Sequence, residues 1–225
     1  MKMLALDAST EALSVAVHDS AQPQTAREHF EIAPRAHATR LLPLAQQLLA
    51  DQGWSLTQLD GLAFGRGPGA FTGLRIAAGL VQGLAYGVHL PVVPVSTLQA
   101  LAARTLARHA CTHVQVVQDA RMGEIYAAEY RHQSGRVACI GAERVLAPSG
   151  LEIFHREGWR HAGNGWPVVA TAGAQALPAV AEQWPHAADM AAIGCVALAV
   201  GAGVDAAQAL PSYVRDEVAR KPSRI

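Results

Sequence analysis

Short apolar runs alternate with longer stretches of helical periodicity along the first half of the chain. The short runs are rich in valine and leucine, which is typical of β-strands. The longer stretches place apolar residues three and four positions apart, as in helices with one buried face. Pro43 predicts a kink or a late start in the first of them, and Ser96 is a candidate N-cap for the last. We predict strands at 3–6, 13–18, 25–32, 59–65 and 92–95, and helices at 37–50, 71–87 and 97–107.

The second half partly repeats this order of elements. Strands are predicted at 114–119, 124–130 and 136–140, and helices near 149–157, 173–183 and 190–203. In both halves a strand ends in an acidic residue and is followed by a hairpin and helices, with the two acids, Asp7 and Asp119, about 112 residues apart. This repetition predicts a structural duplication with two packed lobes, 1–107 and 108–225. The apolar helix at 190–203 is a candidate for packing back on the first lobe.

Composition narrows the class of protein. Eighteen lysines and arginines balance eighteen acids, and only Lys2 and Lys221 are lysines. Neither lysine lies in a Gly-Lys-Ser/Thr motif, which excludes a Walker A phosphate loop. A chain of zero net charge lacks the overall positive charge of a stand-alone nucleic-acid-binding protein, although it can carry a local basic patch. At 51% hydrophobic residues, the chain is too apolar to be disordered.

Cysteine use and hydropathy favour a cytoplasmic protein. Cys111, Cys139 and Cys195 are widely spaced and form no CxxC motif, which indicates free thiols in a reducing compartment. The longest uncharged apolar stretch is 190–204, shorter than the ~20 residues that a membrane-spanning helix needs. It therefore predicts a buried helix and no membrane span.

Three turns carry residues that could bind a phosphate or a metal–phosphate complex. DAST follows the first strand, GRGPGAFTGLR (65–75) leads into a helix, and DARMGE (119–124) joins two strands of the second half. Glycine-rich turns and helix N-termini offer free N–H groups to anions. Ordinary turn hydrogen bonding explains each of the three equally well. The candidate phosphate residues are Asp7, Ser9, Thr10, Gly67, Gly69, Asp119 and Arg121.

Glycines recur every four residues in the predicted helix 71–87. Gly79, Gly83 and Gly87 share one helix face, and Gly73 lies in the first turn. Each interior glycine costs a helix about 1 kcal/mol relative to alanine. Several on one face indicate that another backbone approaches closely. That neighbour is either a helix of the same chain or another subunit.

Motifs for metal binding and nucleophilic catalysis are weak. His109 and His113 are four residues apart, but they straddle a predicted helix–strand connection and have no third ligand nearby in sequence. The chain has no G-x-S-x-G motif and no cysteine in a recognisable catalytic setting. We therefore predict no catalytic residue, no metal site and no cofactor.

Several long motifs resemble the TsaB family, also called YeaZ, over nearly the whole chain. They are MLALDASTEALSVAV, HATRLLPL, GRGPGAFTGLRIAAGLVQGLA, PVSTLQALA, DARMGEIYAAEY and PSYVR. The resemblance implies an α/β fold of the actin/hexokinase-like (ASKHA, ribonuclease H-like) class with two related lobes. It also implies a partner subunit in the synthesis of N6-threonylcarbamoyladenosine in tRNA, next to the anticodon.

Two departures from the catalytic relative, TsaD, imply a degenerate active site. TsaD binds its metal through a His-x-x-x-His helix, whereas the matching helix here begins HATRL. Arg40 stands roughly where a ligand would be needed, and a guanidinium has no lone pair to coordinate a metal. Ala8 also replaces the glycine expected in the first phosphate turn. The resemblance therefore implies no catalysis by this chain alone.

The resemblance further implies a set of partners. Family members pair with TsaD through helices corresponding to 37–50 and 71–87, and they self-associate through the same surface. They also bind the ATPase TsaE, and tRNA is bound mainly by TsaD. The predicted interface residues are His37, Arg40, Leu41, Leu44, Leu48, Thr72, Arg75, Ile76, Gly79, Leu80 and Gly83.

Two enzyme hypotheses compete with the subunit hypothesis. An ASKHA-type small-molecule kinase or ATPase would use Asp7 with the loops at 65–73 and 119–124. A metal-dependent glycoprotease, an older description of this family, would need bound zinc or iron. The segment 213–225 carries four positive and two negative charges, and it is either a mobile end or a contact to an RNA-bearing partner.

Overall fold

The fold was analysed in a computed structural model that describes residues 1–173 and 178–214. This part of the chain contains ten strands and five α-helices. The strands are β1 Lys2–Asp7, β2 Ala12–Asp19, β3 Arg27–Ile32, β4 Gly61–Gly67, β5 Val92–Ser96, β6 His113–Arg121, β7 Glu124–Gln133, β8 Arg136–Leu146, β9 Trp159–Ala162 and β10 Val180–Glu182. The helices are α1 His37–Asp51, α2 Phe71–Val88, α3 Thr97–Arg108, α4 Trp166–Thr171 and α5 Ala187–Leu198.

The two sheets have the same topology. The first has the order β3-β2-β1-β4-β5 and the second the order β10-β9-β6-β7-β8. In each, the first three strands in sequence are antiparallel, and the fourth and fifth strands add in parallel beside the first. The predicted duplication is therefore confirmed.

Helices cover both faces of the first sheet. Alternate residues of β1 point to opposite sides. Leu4 and Leu6 pack in a core with α1 and α2, whereas Met3 and Ala5 pack with Met190 of α5. The helix predicted at 190–203 thus runs from 187 to 198 and lies against the first sheet.

Helix α3 connects the two lobes. Ser96 caps it by accepting a hydrogen bond from the Gln99 N–H at 3.1 Å, as predicted. Leu98 and Leu101 then pack against Val114 and Val116 of the second sheet. The last helix of the first half therefore completes the core of the second half.

Several predictions in the second half are wrong. No α-helix forms at 149–157, where a short 3-10 turn at Pro148–Gly150 leads into irregular chain. The helix predicted at 173–183 is contradicted by β10 at its end, and residues 174–177 lie outside the described part of the chain. Strand β9 and helix α4 were not predicted. Both are short and have few alternating apolar positions, so they lack the periodicity that marks longer elements.

Smaller differences concern boundaries and Pro43. Helix α1 begins at His37 and continues through Pro43, so the late start is not observed. The third strand begins at Arg27, because Pro23–Thr25 forms a 3-10 turn. Within the described residues, no helix is long and apolar enough to cross a membrane.

Candidate functional site

The two acid-bearing turns face each other across a cleft between the lobes, with a volume of about 220 Å³. The turn after β1 comes from the first lobe and the turn after β6 from the second. They meet because β1 and β6 occupy corresponding positions in the duplicated fold. Of the predicted phosphate residues, those that line the cleft are Ser9, Thr10, Gly69, Asp119 and Arg121.

The glycine-rich loop packs directly on the turn after β1. A Cβ atom added to Gly69 would lie 2.4 Å from the Ser9 carbonyl oxygen, and one on Gly73 would lie 1.8 Å from the Ala8 carbonyl oxygen. Gly67 adopts a left-handed φ of 108°, and the Gly67–Pro68 peptide is cis. These glycines therefore bring backbone against backbone within the protein. This close packing explains the motif without a phosphate.

The same loop seals Asp7 away from the cleft. Asp7 is fully buried, and a Cβ on Gly65 would lie 2.0 Å from its Oδ1 atom. The Ser9 hydroxyl donates to Asp7 Oδ2 at 2.9 Å, while Oδ1 has no hydrogen-bond partner. Burial raises the pKa of Asp7 to about 7, and hydrogen bonds from Ser9 and Ala8 oppose that rise only in part. Asp7 cannot touch a ligand while the loop keeps this position.

The buried carboxyl makes stability depend on pH. The pKa of Asp7 is higher in the folded chain than its ordinary value of 3.8, so the folded state binds the extra proton between these two values. Its contribution is therefore lost as pH rises from about 4 to 7, and is constant above. We expect Asp7→Asn to stabilise the chain at pH 8 by up to roughly 4 kcal/mol, with the gain shrinking towards pH 4. Urea denaturation of both proteins at several pH values measures this difference.

Asp119→Asn is the matched control, because Asp119 ends the corresponding strand but remains partly exposed. Its difference from the parent should not grow between pH 5 and 8. An Asp7→Asn difference that is flat over this range would contradict the assignment of a protonated Asp7.

Protein groups also satisfy the anion-binding positions of the cleft. The Ala70 N–H, at the start of α2, donates to the Ser9 carbonyl at 2.7 Å. The Arg121 guanidinium pairs with Asp119 at 3.1 Å and with Glu11 of the opposite lobe. Two carboxylates thus face the cleft beside an arginine that already binds both. The cleft disfavours a phosphate, whose charge the carboxylates would repel.

On α1, three predicted interface residues belong to the core. Leu41 and Leu44 are 1% and 7% exposed and pack against the first sheet, and His37 is also buried, with Nε2 3.1 Å from the Ala12 carbonyl. The helical spacing of these leucines marks the face toward the sheet. Arg40 is exposed and pairs with Glu31 at 3.0 Å. Leu48 is half-buried and packs at the edge of the same core.

On α2, the glycine face is open to solvent. A Cβ added to Gly79, Gly83 or Gly87 would meet no atom within 4 Å. No described helix of this chain therefore packs against these glycines, and the internal explanation for them is wrong. Thr72 and Arg75 share this exposed face, whereas Ile76 and Leu80 are half-buried.

Aromatic residues that the sequence analysis missed flank this face. Tyr86 is 76% exposed on α2. The Arg75 guanidinium lies 3.8 Å from the ring centroid of Phe71 and donates to the Tyr213 hydroxyl at 3.0 Å. Tyr213 and the 60% exposed Leu210 come from the end of the described chain. Tyr86 could have been found from its position three residues after Gly83. The docking of Leu210 and Tyr213 beside α2 has no local sequence signal.

The paired histidines do not form a metal site. His113 stacks on Trp159 with centroids 4.8 Å apart, while His109 Nε2 lies 3.4 Å from Glu182. Among residues 1–173 and 178–214, no three His, Cys, Asp or Glu side chains converge as potential metal ligands. The basic residues of the tail from 215 to 225 lie outside the described part of the chain.

The duplicated topology, with a cleft between strand-end turns, defines a two-lobed protein of the actin/hexokinase-like (ASKHA, ribonuclease H-like) class. Sequence comparison then gives the family. The family model described as "TsaD: tRNA N6-adenosine threonylcarbamoyltransferase" matches residues 29–223. The tRNA threonylcarbamoyladenosine biosynthesis protein TsaB of Escherichia coli K12 is 41% identical, with 98% of this chain and 97% of that protein covered. The chain belongs to the TsaB (YeaZ) family, which takes part in tRNA threonylcarbamoyladenosine biosynthesis.

Other relatives agree with this assignment. TsaB of Haemophilus influenzae is 35% identical over 98% of this chain and 96% of its own length. The solved structure of YeaZ from Pseudomonas aeruginosa superposes with a TM-score of 0.84 at 42% identity, covering 94% of this chain and all of that one. The resemblance stated from sequence motifs is confirmed.

Proposed function

We propose that this chain is a non-catalytic subunit that binds and activates a TsaD-type transferase, which forms N6-threonylcarbamoyladenosine in tRNA. The observation that carries the proposal is the open glycine face of α2. Glycine is retained at Gly79, Gly83 and Gly87 although each position has room for a methyl group. Alanine there would strengthen the isolated helix by about 1 kcal/mol per position. A partner backbone approaching this face accounts for the glycines.

The flanks of the glycine face suit a protein partner. Tyr86 and Phe71 are exposed aromatic residues, and Arg75 lies over the Phe71 ring. Aromatic residues and arginine are enriched where protein interfaces bind most strongly. The exposed residues Arg40, Thr72, Arg75, Gly79 and Gly83 remain in the proposed interface, with Leu48, Ile76 and Leu80 at its edge. Without TsaD, two copies of this chain would associate through the same face.

The sealed turn supports a non-catalytic role. A phosphotransferase of this fold would need Asp7 in contact with its metal–nucleotide, but Asp7 is buried beneath Gly65. Arg40 occupies the position where a metal-binding helix would need a ligand. The chain's contribution is therefore a surface that holds its partner in an active arrangement. TsaE and tRNA would join the complex mainly through TsaD.

Reconstitution tests the proposal. We expect purified TsaD-type transferase, with its other partners and tRNA, to form threonylcarbamoyladenosine at least ~10-fold faster when this chain is present, which corresponds to about 1.4 kcal/mol of activation free energy. Asp7→Asn should support the same rate, because a buried structural carboxyl plays no part in the chemistry. Mass spectrometry of nucleosides from digested tRNA measures the product. A rate independent of this chain would refute the proposal, and loss of activity in Asp7→Asn together with ATP turnover would favour the kinase hypothesis.

A further inference from the structure

A buried glutamine lines the cleft between the lobes with its amide unpaired. Gln118 is 2% exposed, and neither Nε2 nor Oε1 has a hydrogen-bond partner. Gln118 shares the α3-facing side of β6 with Val116, which packs against α3. Buried amides without partners are rare, because they lose their hydration and gain nothing in return. The unpaired amide therefore calls for an explanation.

A second glutamine on the same strand shows the ordinary arrangement. Gln115 is fully buried, but its Nε2 donates to the Glu152 carbonyl at 2.7 Å. Its Oε1 accepts a long hydrogen bond from the Phe154 N–H. The strand can thus accommodate a satisfied buried glutamine. The difference at Gln118 is that it lies beside the cleft.

The charge of the cleft limits what Gln118 could recognise. Glu11 and Asp119 face the cleft, and Arg121 already pairs with both. An anion would meet the carboxylates without a free cation of its own, whereas a neutral molecule would not be repelled. A carboxamide offers one donor and one acceptor in a single plane. Its complement is a planar edge with an acceptor beside a donor, such as the N7 and N6 groups of adenine.

We propose that the cleft binds a neutral adenine base through paired hydrogen bonds to Gln118, and that phosphate groups on the molecule weaken its binding. The amide must turn toward the cleft to engage the base, and that rotation breaks no hydrogen bond. The proposal concerns the isolated chain and is independent of partner activation.

Calorimetric titration of the full chain with adenosine is the first test. Adenosine should bind, whereas AMP and ATP should bind progressively more weakly, with ATP at least ~10-fold weaker and not rescued by Mg²⁺. Purine riboside, which lacks the exocyclic amino donor, should also bind at least ~10-fold more weakly than adenosine. No binding of adenosine, or tighter binding of Mg-ATP, would overturn the proposal.

Variants of the two glutamines form a matched pair. Gln118→Leu should abolish adenosine binding while raising the melting temperature, because an unpaired buried amide is removed. Gln115→Leu should lower the melting temperature and leave the affinity for adenosine unchanged. Gln118→Asn keeps the amide but shortens its reach, and should bind adenosine at least ~10-fold more weakly, so it provides a test if the leucine variant does not fold. Unchanged affinity in the Gln118 variants would contradict the assignment.

Discussion

Gly79→Arg is expected to weaken binding to the TsaD partner at least ~100-fold, which corresponds to about 2.7 kcal/mol, while the isolated chain stays folded. Gly79 lies on the exposed face of α2, and an added side chain there meets no atom of the chain. A long charged side chain would instead hold the partner away from the helix. Titration calorimetry with the partner measures the loss, and circular dichroism verifies the fold.

Ala192→Arg is the matched control for this variant. Ala192 is exposed on α5, which covers the opposite face of the first sheet, so the same charge and bulk are added away from the proposed interface. We expect its affinity for the partner to equal that of the parent chain. Equal affinity in the Gly79 variant as well would remove α2 from the interface. Leu44→Glu is unsuitable for this test, because a charge at this core position would unfold the chain.

Gly73→Ala should destabilise the chain by about 3 kcal/mol or more, an effect at the upper end for overpacking. The new methyl group would lie 1.8 Å from the Ala8 carbonyl oxygen, so α2 would have to move away from the turn after β1. That movement would also disturb the Ala70–Ser9 hydrogen bond. Urea denaturation measures the loss.

The same substitution in the same helix should have the opposite sign at Gly79. Gly79→Ala meets only open space and replaces a poor helix former, so we expect a gain of about 1 kcal/mol. Both variants change one hydrogen to a methyl group, and only the distance to the nearest backbone differs. Similar effects in the two variants would contradict the close packing of α2 on the turn.

Sequence patterns predicted the first lobe better than the second for a physical reason. In the first lobe, apolar alternation and the Ser96 cap mark each element, and the observed boundaries differ by a few residues. In the second lobe, Trp159–Ala162 and Val180–Glu182 are strands of only four and three residues. Their neighbours in the sheet hold them extended, and this tertiary effect leaves little trace in so few side chains.

The candidate site was predictable as a set of turns and not as a set of contacts. The turns after β1 and β6 were predicted to be related, but the closure of the glycine loop over Asp7 depends on distances between chain segments far apart in sequence. Periodicity also shows that a helix face is apolar without showing what covers it. On α1 the leucine face was assigned to a partner and packs on the sheet. Gln118 was missed because one polar residue in a valine-rich strand carries no motif.

Each half of the fold lends its last helix to the other half. Helix α3 completes the core on the second sheet, and α5 completes the core on the first. Neither half could exist alone without exposing an apolar sheet face. An ancestor of half this length would therefore have needed to be a symmetric dimer whose two chains exchanged their last helices. Fusion of its two copies would have made this exchange permanent and freed the helices of the first half to specialise in recognition.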